Sequence, residues 1–167
     1  MSLIPKSVLG LVVALVCMYP SVLLAASGST SLSVTASVAN TCTIGTNPLA
    51  FGAYDPVVAH ASSNLDGTGT VTITCNKGAV TTVGLDLGAN ASGTKRRMTN
   101  GTDFLTYEIY KEAARTNIWG NSGANLLDTG TAPSKSPRSF SAFGRIPSGQ
   151  DVGSGSYTDT VVATVNF

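Results

Sequence analysis

Little in this sequence can do acid–base chemistry. It has a single histidine, His60, in a stretch rich in Ser and Asn, with no nucleophile motif around it to make a serine triad. Asp86 and Asp103, or Glu108 and Glu112, are available carboxylates, but nothing in the sequence sets either pair across a cleft. Gly84 to Gly93 lacks the Lys and the Ser or Thr of a phosphate loop. These absences point away from an enzyme and from any cofactor or metal. Charge is scarce as well, at 11% of residues, with ten Lys and Arg against nine Asp and Glu. Without Lys6, which leaves with the leader described next, the two signs are equal, so no field points to nucleic acid or an anionic membrane. Lys95-Arg96-Arg97 is the one basic cluster, and three charges in a turn read as a solvated loop.

Long apolar runs are missing except at the start. Lys6 precedes the run Val8 to Val16, and Tyr19-Pro20 and the small residues Ala25-Ala26-Ser27 follow it. That order reads as a secretory signal peptide spanning residues 1–26; Pro20 and the lack of a basic stop-transfer cluster argue against a retained anchor. About 140 residues then remain, one domain with enough chain to bury a core. Cysteine is sparse too. Of three, Cys17 leaves with the leader, and Cys42 and Cys75 are expected to form a disulfide in an oxidising compartment. A metal site on these two would need third and fourth ligands, and none is close in sequence.

What the chain does have is alternation and turns, with Gly, Ser, Thr and Ala abundant and no convincing amphipathic helix. Cys42 to Ile44 is expected to be strand until Gly45 and Pro48 break it, and Leu49 to Pro56 is a second short piece. A loop from Ala61 to Gly69 leads to a strand from Thr70 to Cys75, with Val71, Ile73 and Cys75 on one face. Val80 to Leu87 is another, with Val83, Leu85 and Leu87 in register. Asn90 to Asn100 reads as a polar connection. In Phe104 to Tyr110, Leu105, Tyr107 and Ile109 should face inward. Trp119 should cover one end of the fold, and the run from it to Pro137 reads as a long exposed connection. Ser139 to Ile146 is a strand stopped by Pro147-Ser148-Gly149, with Arg145 a structural arginine near that turn.

Two ends of the chain carry the functional signal. Ser31 to Val38 alternates strictly: Leu32, Val34, Ala36 and Val38 on one face, Ser31, Ser33, Thr35 and Ser37 on the other. Such a strand needs a groove. From Tyr157 to Phe167 a last strand sets Val161, Ala163, Val165 and Phe167 on one parity, and no further strand follows to pair with it. Many short strands and turns argue an all-β, immunoglobulin-like sandwich, here an incomplete one lacking its last strand, with an unpaired edge beside an apolar groove.

The chain resembles the spore coat protein U domain family, which includes subunits of archaic, Csu-type chaperone-usher pili. The likeness runs through Ser31 to Val38 with Cys42, Phe51-Gly52-Ala53-Tyr54-Asp55, Cys75, Arg97-Met98, Leu105 to Tyr110 and Trp119-Gly120. It continues through Phe143 to Gln150 and Gly155 to Val161. The resemblance implies a sandwich at 40–167, completed by a neighbouring subunit's donor segment, 27–39. It also implies a head-to-tail polymer of identical or related subunits, a periplasmic chaperone, an outer-membrane usher, and a final place in an extracellular pilus serving attachment and biofilm. A single domain with a well-formed donor suits the shaft. The rival is a monomeric, self-complemented coat or lectin-like protein whose own N-terminal segment folds back, for which the three residues Ala39-Asn40-Thr41 make a short connection.

Overall fold

The computed structural model describes residues 25–167, so all of the expected leader before Ala25, Cys17 included, lies outside the described residues. Among the described residues the chain folds as eight strands. They are β1 (Cys42–Ala50), β2 (Leu65–Cys75), β3 (Val80–Leu85), β4 (Arg96–Thr99), β5 (Phe104–Tyr110), β6 (Leu127–Thr131), β7 (Arg138–Ile146) and β8 (Ala163–Asn166). One 3₁₀ turn, Gly123–Asn125, precedes β6. Five strands form one sheet in the order β1-β2-β7-β5-β4, three form the other in the order β6-β3-β8, and the strand pairs are antiparallel.

Between the sheets lies the core that period-two patterning dictates: Val71 and Ile73 of β2, Leu105, Tyr107 and Ile109 of β5, and Val83 and Leu85 of β3 are all buried. Trp119 is fully buried, its indole Nε1 donating to the Val83 carbonyl at 2.9 Å. Cys42 and Cys75 stand directly opposite each other on β1 and β2 and are disulfide-bonded, closing a separation of 33 residues. A loop of that length stabilises the fold by roughly 3 to 4 kcal/mol on the chain-entropy model. The staple holds the edge strand β1 to its sheet.

Several expected boundaries move. β1 runs on through Gly45 and Pro48 instead of breaking, because it is an edge strand and its register slips between Asn47 and Ala50, where a residue without an N–H leaves no ladder bond unmade. β2 begins at Leu65, inside the expected loop, since β7 supplies a partner as far as Ile146. β6 forms within the expected connection after Trp119 by pairing with β3. The final strand shortens to Ala163–Asn166.

The basic cluster is the plainest correction. Arg96 is not in a solvated loop; it begins β4, within the expected Asn90 to Asn100 connection, and is fully buried. Its guanidinium pairs with Glu108 of β5 and donates to the carbonyls of Leu85, Asp86 and Trp119 at 2.6 to 2.9 Å. A buried arginine is tolerable only when its N–H groups are met, and here the carbonyls of Leu85 and Asp86 at the end of β3, in the opposite sheet, and of Trp119 in the connection after β5 meet them. The side chain therefore clamps the two sheets together. Arg145, as expected, is structural: it binds Asp66 bidentately at 2.8 and 2.9 Å, and that hydrogen bonding holds the Asp66 carboxyl below the usual carboxylate range.

Candidate strand-acceptor groove

The site is built from two unfinished edges. β1 ends the larger sheet and pairs with β2 alone, while β8 ends the smaller sheet and pairs with β3 alone. Just before β8, the chain is bonded on one side only. Thr158 exchanges main-chain bonds with Thr99 at 3.0 Å, the Thr160 carbonyl accepts from Ala89, and the Val162 carbonyl accepts from Asp86. Because main-chain groups of an extended strand alternate in direction, the even-numbered residues face those partners and Asp159, Val161 and Ala163 turn their N–H and C=O groups the other way. Among the described residues, no strand is paired on that side.

An open groove lies against it, in two lobes. One, of about 400 Å³, has Val71, Leu85 and Ile109 in its floor and is flanked by Pro48 of β1 and by Val161 and Ala163. The other, of about 650 Å³, is lined by Ala53, Tyr54, Leu105, Ile146 and Val152 among others. Glycines of β2 and β7 lie beneath one flank of it, and their bare backbone is already covered. A Cβ added at Gly67 or Gly69 would come within 2.9 Å of Phe51 or Leu49, and one at Gly144 within 2.6 Å of the Phe51 ring. Leu49 and Phe51 are thus seated on a bare stretch of sheet, with the Phe51 ring edge-on to Tyr107 at 5.9 Å.

One polar pair sits among these apolar walls. The Tyr107 hydroxyl donates to Asp159 at 2.7 Å, and the other carboxylate oxygen accepts from the Asn90 main chain and side-chain amide at 3.1 Å. Burial, then the neighbouring carboxylate, pushes the Tyr107 phenol well above its ordinary value, so it stays a neutral donor. The pair ties the wall at Asp159 to the sandwich.

The residues singled out in sequence fall into three groups. Val161, Ala163 and Val165 are half-buried against the core, and the first two line the groove. Phe167 lies past the end of β8, is 56% exposed and lines neither lobe, so it is not brought to the groove. Residues 25–41 form no strand or helix, and Leu32, Val34 and Val38 are 84 to 86% exposed, with Ala36 exposed too. An extended segment becomes a strand only when a partner meets its N–H and C=O groups.

The other candidates hold structure together. His60 stacks on Tyr54 and accepts from the Asp55 N–H at 2.9 Å; Glu112 accepts from Thr116 and Asn117, which brings its carboxyl down to about 2. Phe51, Met98, Tyr107 and Asp159 were not marked as groove residues by sequence. Only the aromatic parity of β5 pointed inward to one of them.

Comparison with known proteins follows the same outline. Residues 29–164 match the family described as Spore Coat Protein U domain. Protein U of Myxococcus xanthus is 39% identical over 158 residues, covering 86% of this chain and 87% of that one. Among solved structures, a chain in the crystal structure of the CsuC-CsuE chaperone-tip adhesion subunit pre-assembly complex from archaic chaperone-usher Csu pili of Acinetobacter baumannii is similar at TM-score 0.57 and 24% identity. That likeness covers 78% of this chain but 40% of the solved one, and it is a likeness of fold. With the family matched over most of its length and Protein U at 39% identity, this chain belongs to the Spore Coat Protein U domain family.

Proposed function

We propose that the protein is a structural subunit of an extracellular chaperone-usher pilus, polymerising head to tail by donating Ser31 to Val38 into the groove of a neighbour. One observation carries the reading: a single chain holds both an exposed, strictly alternating segment and an apolar groove beside a strand edge that is unpaired among the described residues. Main-chain bonds to the free side of Asp159, Val161 and Ala163 would seat the donor, and Leu32, Val34, Ala36 and Val38 would fill the groove. A contact of this kind joins unlike surfaces and does not close on itself, so it propagates as a filament.

The same pairing of donor and acceptor suits a position in the shaft, where each subunit has a neighbour on both sides. A periplasmic chaperone would lend a strand to the groove before assembly, and an outer-membrane usher would secrete the fibre, placing the protein in the periplasm in transit and then at the cell surface. The pilus would support attachment and biofilm formation. Deleting Ser29 to Val38 is expected to leave a subunit that still takes up chaperone but adds no successor. Normal polymer from that deletion would overturn the reading, and a full chain that folds as a monomer without chaperone and loses that fold on the deletion would favour the self-complemented coat protein instead.

A further inference from the structure

We propose that the groove sets the register of its donor through a constriction, formed by Leu49, Phe51, Met98 and Tyr157, that accepts Ala36 and rejects a larger side chain. The inference deepens the strand-donation reading and rests on it. These four side chains line both lobes, so they stand where one lobe passes into the other. The flanking walls follow the same division. Residues 46–49 border the smaller lobe and 49–54 with Pro56 the larger, while the opposite wall runs in reverse, Ala163 and 161–158 along the smaller and 157–152 along the larger. A strand lying between them meets lobe, waist and lobe in turn.

The donor has a matching profile. Along its apolar face the side chains are large, large, small and large: Leu32, Val34, Ala36, Val38. Same-face residues of a strand stand about 6.6 Å apart, so Ala36 at the waist delivers Val34 into one lobe and Val38 into the other. A two-residue slip would force a valine into the waist, and a one-residue slip would turn the hydroxyl face inward. Three of its four members have little room to yield. Leu49 and Phe51 rest against the glycines of β2 and β7 with no space beneath them, and the Tyr157 hydroxyl is held by the Gly153 carbonyl at 2.8 Å. Met98, on β4, is the unbranched and adaptable member.

Because every subunit carries both donor and acceptor, the full chain tests itself. The readout is the ladder of heat-resistant polymer made in its native host. Ala36→Leu is expected to lower polymer by about tenfold or more, whereas Val38→Leu, which adds bulk inside a lobe, should stay within about threefold of the parent. Ala36 is exposed in the free chain, so the substitution leaves the subunit's own fold alone. Adding Met98→Ala to Ala36→Leu should restore polymer to within about threefold, with Met98→Val as the milder alternative if near-ultraviolet circular dichroism shows Met98→Ala poorly folded. Equal polymer from Ala36→Leu and Val38→Leu, or no recovery in either folded double variant, would overturn the waist. Leu32→Asp separates the two levels: if it abolishes polymer while Ala36→Leu does not, only the waist fails, and if it changes nothing, donation itself fails.

Discussion

The two sides of this sandwich are finished differently. Around Arg96 and Trp119 the sheets are tied across the core: a fully buried guanidinium meets Glu108 and three carbonyls, and the indole N–H meets Val83. Around β1 and β8 both edges are unpaired among the described residues, and Pro48, Val161 and Ala163 line the open space beside them. Where the chain completes its own hydrogen bonding it can bury even an arginine. Where it does not, it leaves an apolar groove, which a stable domain must cover with something. The closed side supplies the rigidity that lets the open side persist, and substitutions on each side should fail in different assays.

The largest effect is expected on the closed side. Arg96→Met strands the Glu108 carboxylate and several carbonyls, and should cost about 3 to 5 kcal/mol in denaturant unfolding, whereas pairing it with Glu108→Met should recover most of that loss. No loss from the single substitution would mean that the clamp is not what joins the sheets. Gly144→Ala comes next, since its Cβ would press to 2.6 Å from the Phe51 ring; overpacking of this sort costs about 1 to 3 kcal/mol. That cost should appear together with weaker strand uptake, because the displaced ring borders the groove. A stability loss with unchanged polymer would separate this glycine from the acceptor.

The smallest effect is one of pH and belongs to neither side. Glu112 has its carboxyl lowered from 4.5 to about 2, first by the Thr116 hydroxyl and then by the Asn117 N–H. A lowered native pKa contributes stability above the unfolded value and loses it as acid is added, so the contribution should fade as pH drops from 4.5 toward 2. Glu112→Gln should flatten that part of the acid-unfolding profile while leaving polymer unchanged. An identical profile in the variant would show that this loop does not contribute.

Sequence reasoning reached the parts of the fold where one residue type repeats at one spacing. β5 and the Val71 to Cys75 half of β2 have alternate apolar residues, and both faces came out as read; the disulfide followed from count and compartment. Arg96 reads as solvated because a local run of cations looks the same whether solvent or buried carbonyls receive it, and only tertiary pairing decides. Pro48 reads as a strand break because sequence does not reveal that its strand is an edge with a slipped register. The groove was legible as an unmet need, in an alternating segment at one end and an unpaired strand at the other. Its lining was not: Leu49, Phe51 and Met98 come from stretches with no clear period, and glycines on neighbouring strands fix where two of them rest.

Donation between subunits is tested most directly by a cross-link. Val34→Cys and Val161→Cys, introduced together into the full chain, put one thiol on the donor and one on the groove wall. Assembled polymer should then link under mild oxidation into a covalent ladder that survives boiling in detergent and collapses to monomer on reduction. If the new bond instead forms within one chain, leaving covalent monomer only, the segment fills its own groove and the protein is no strand-donating subunit.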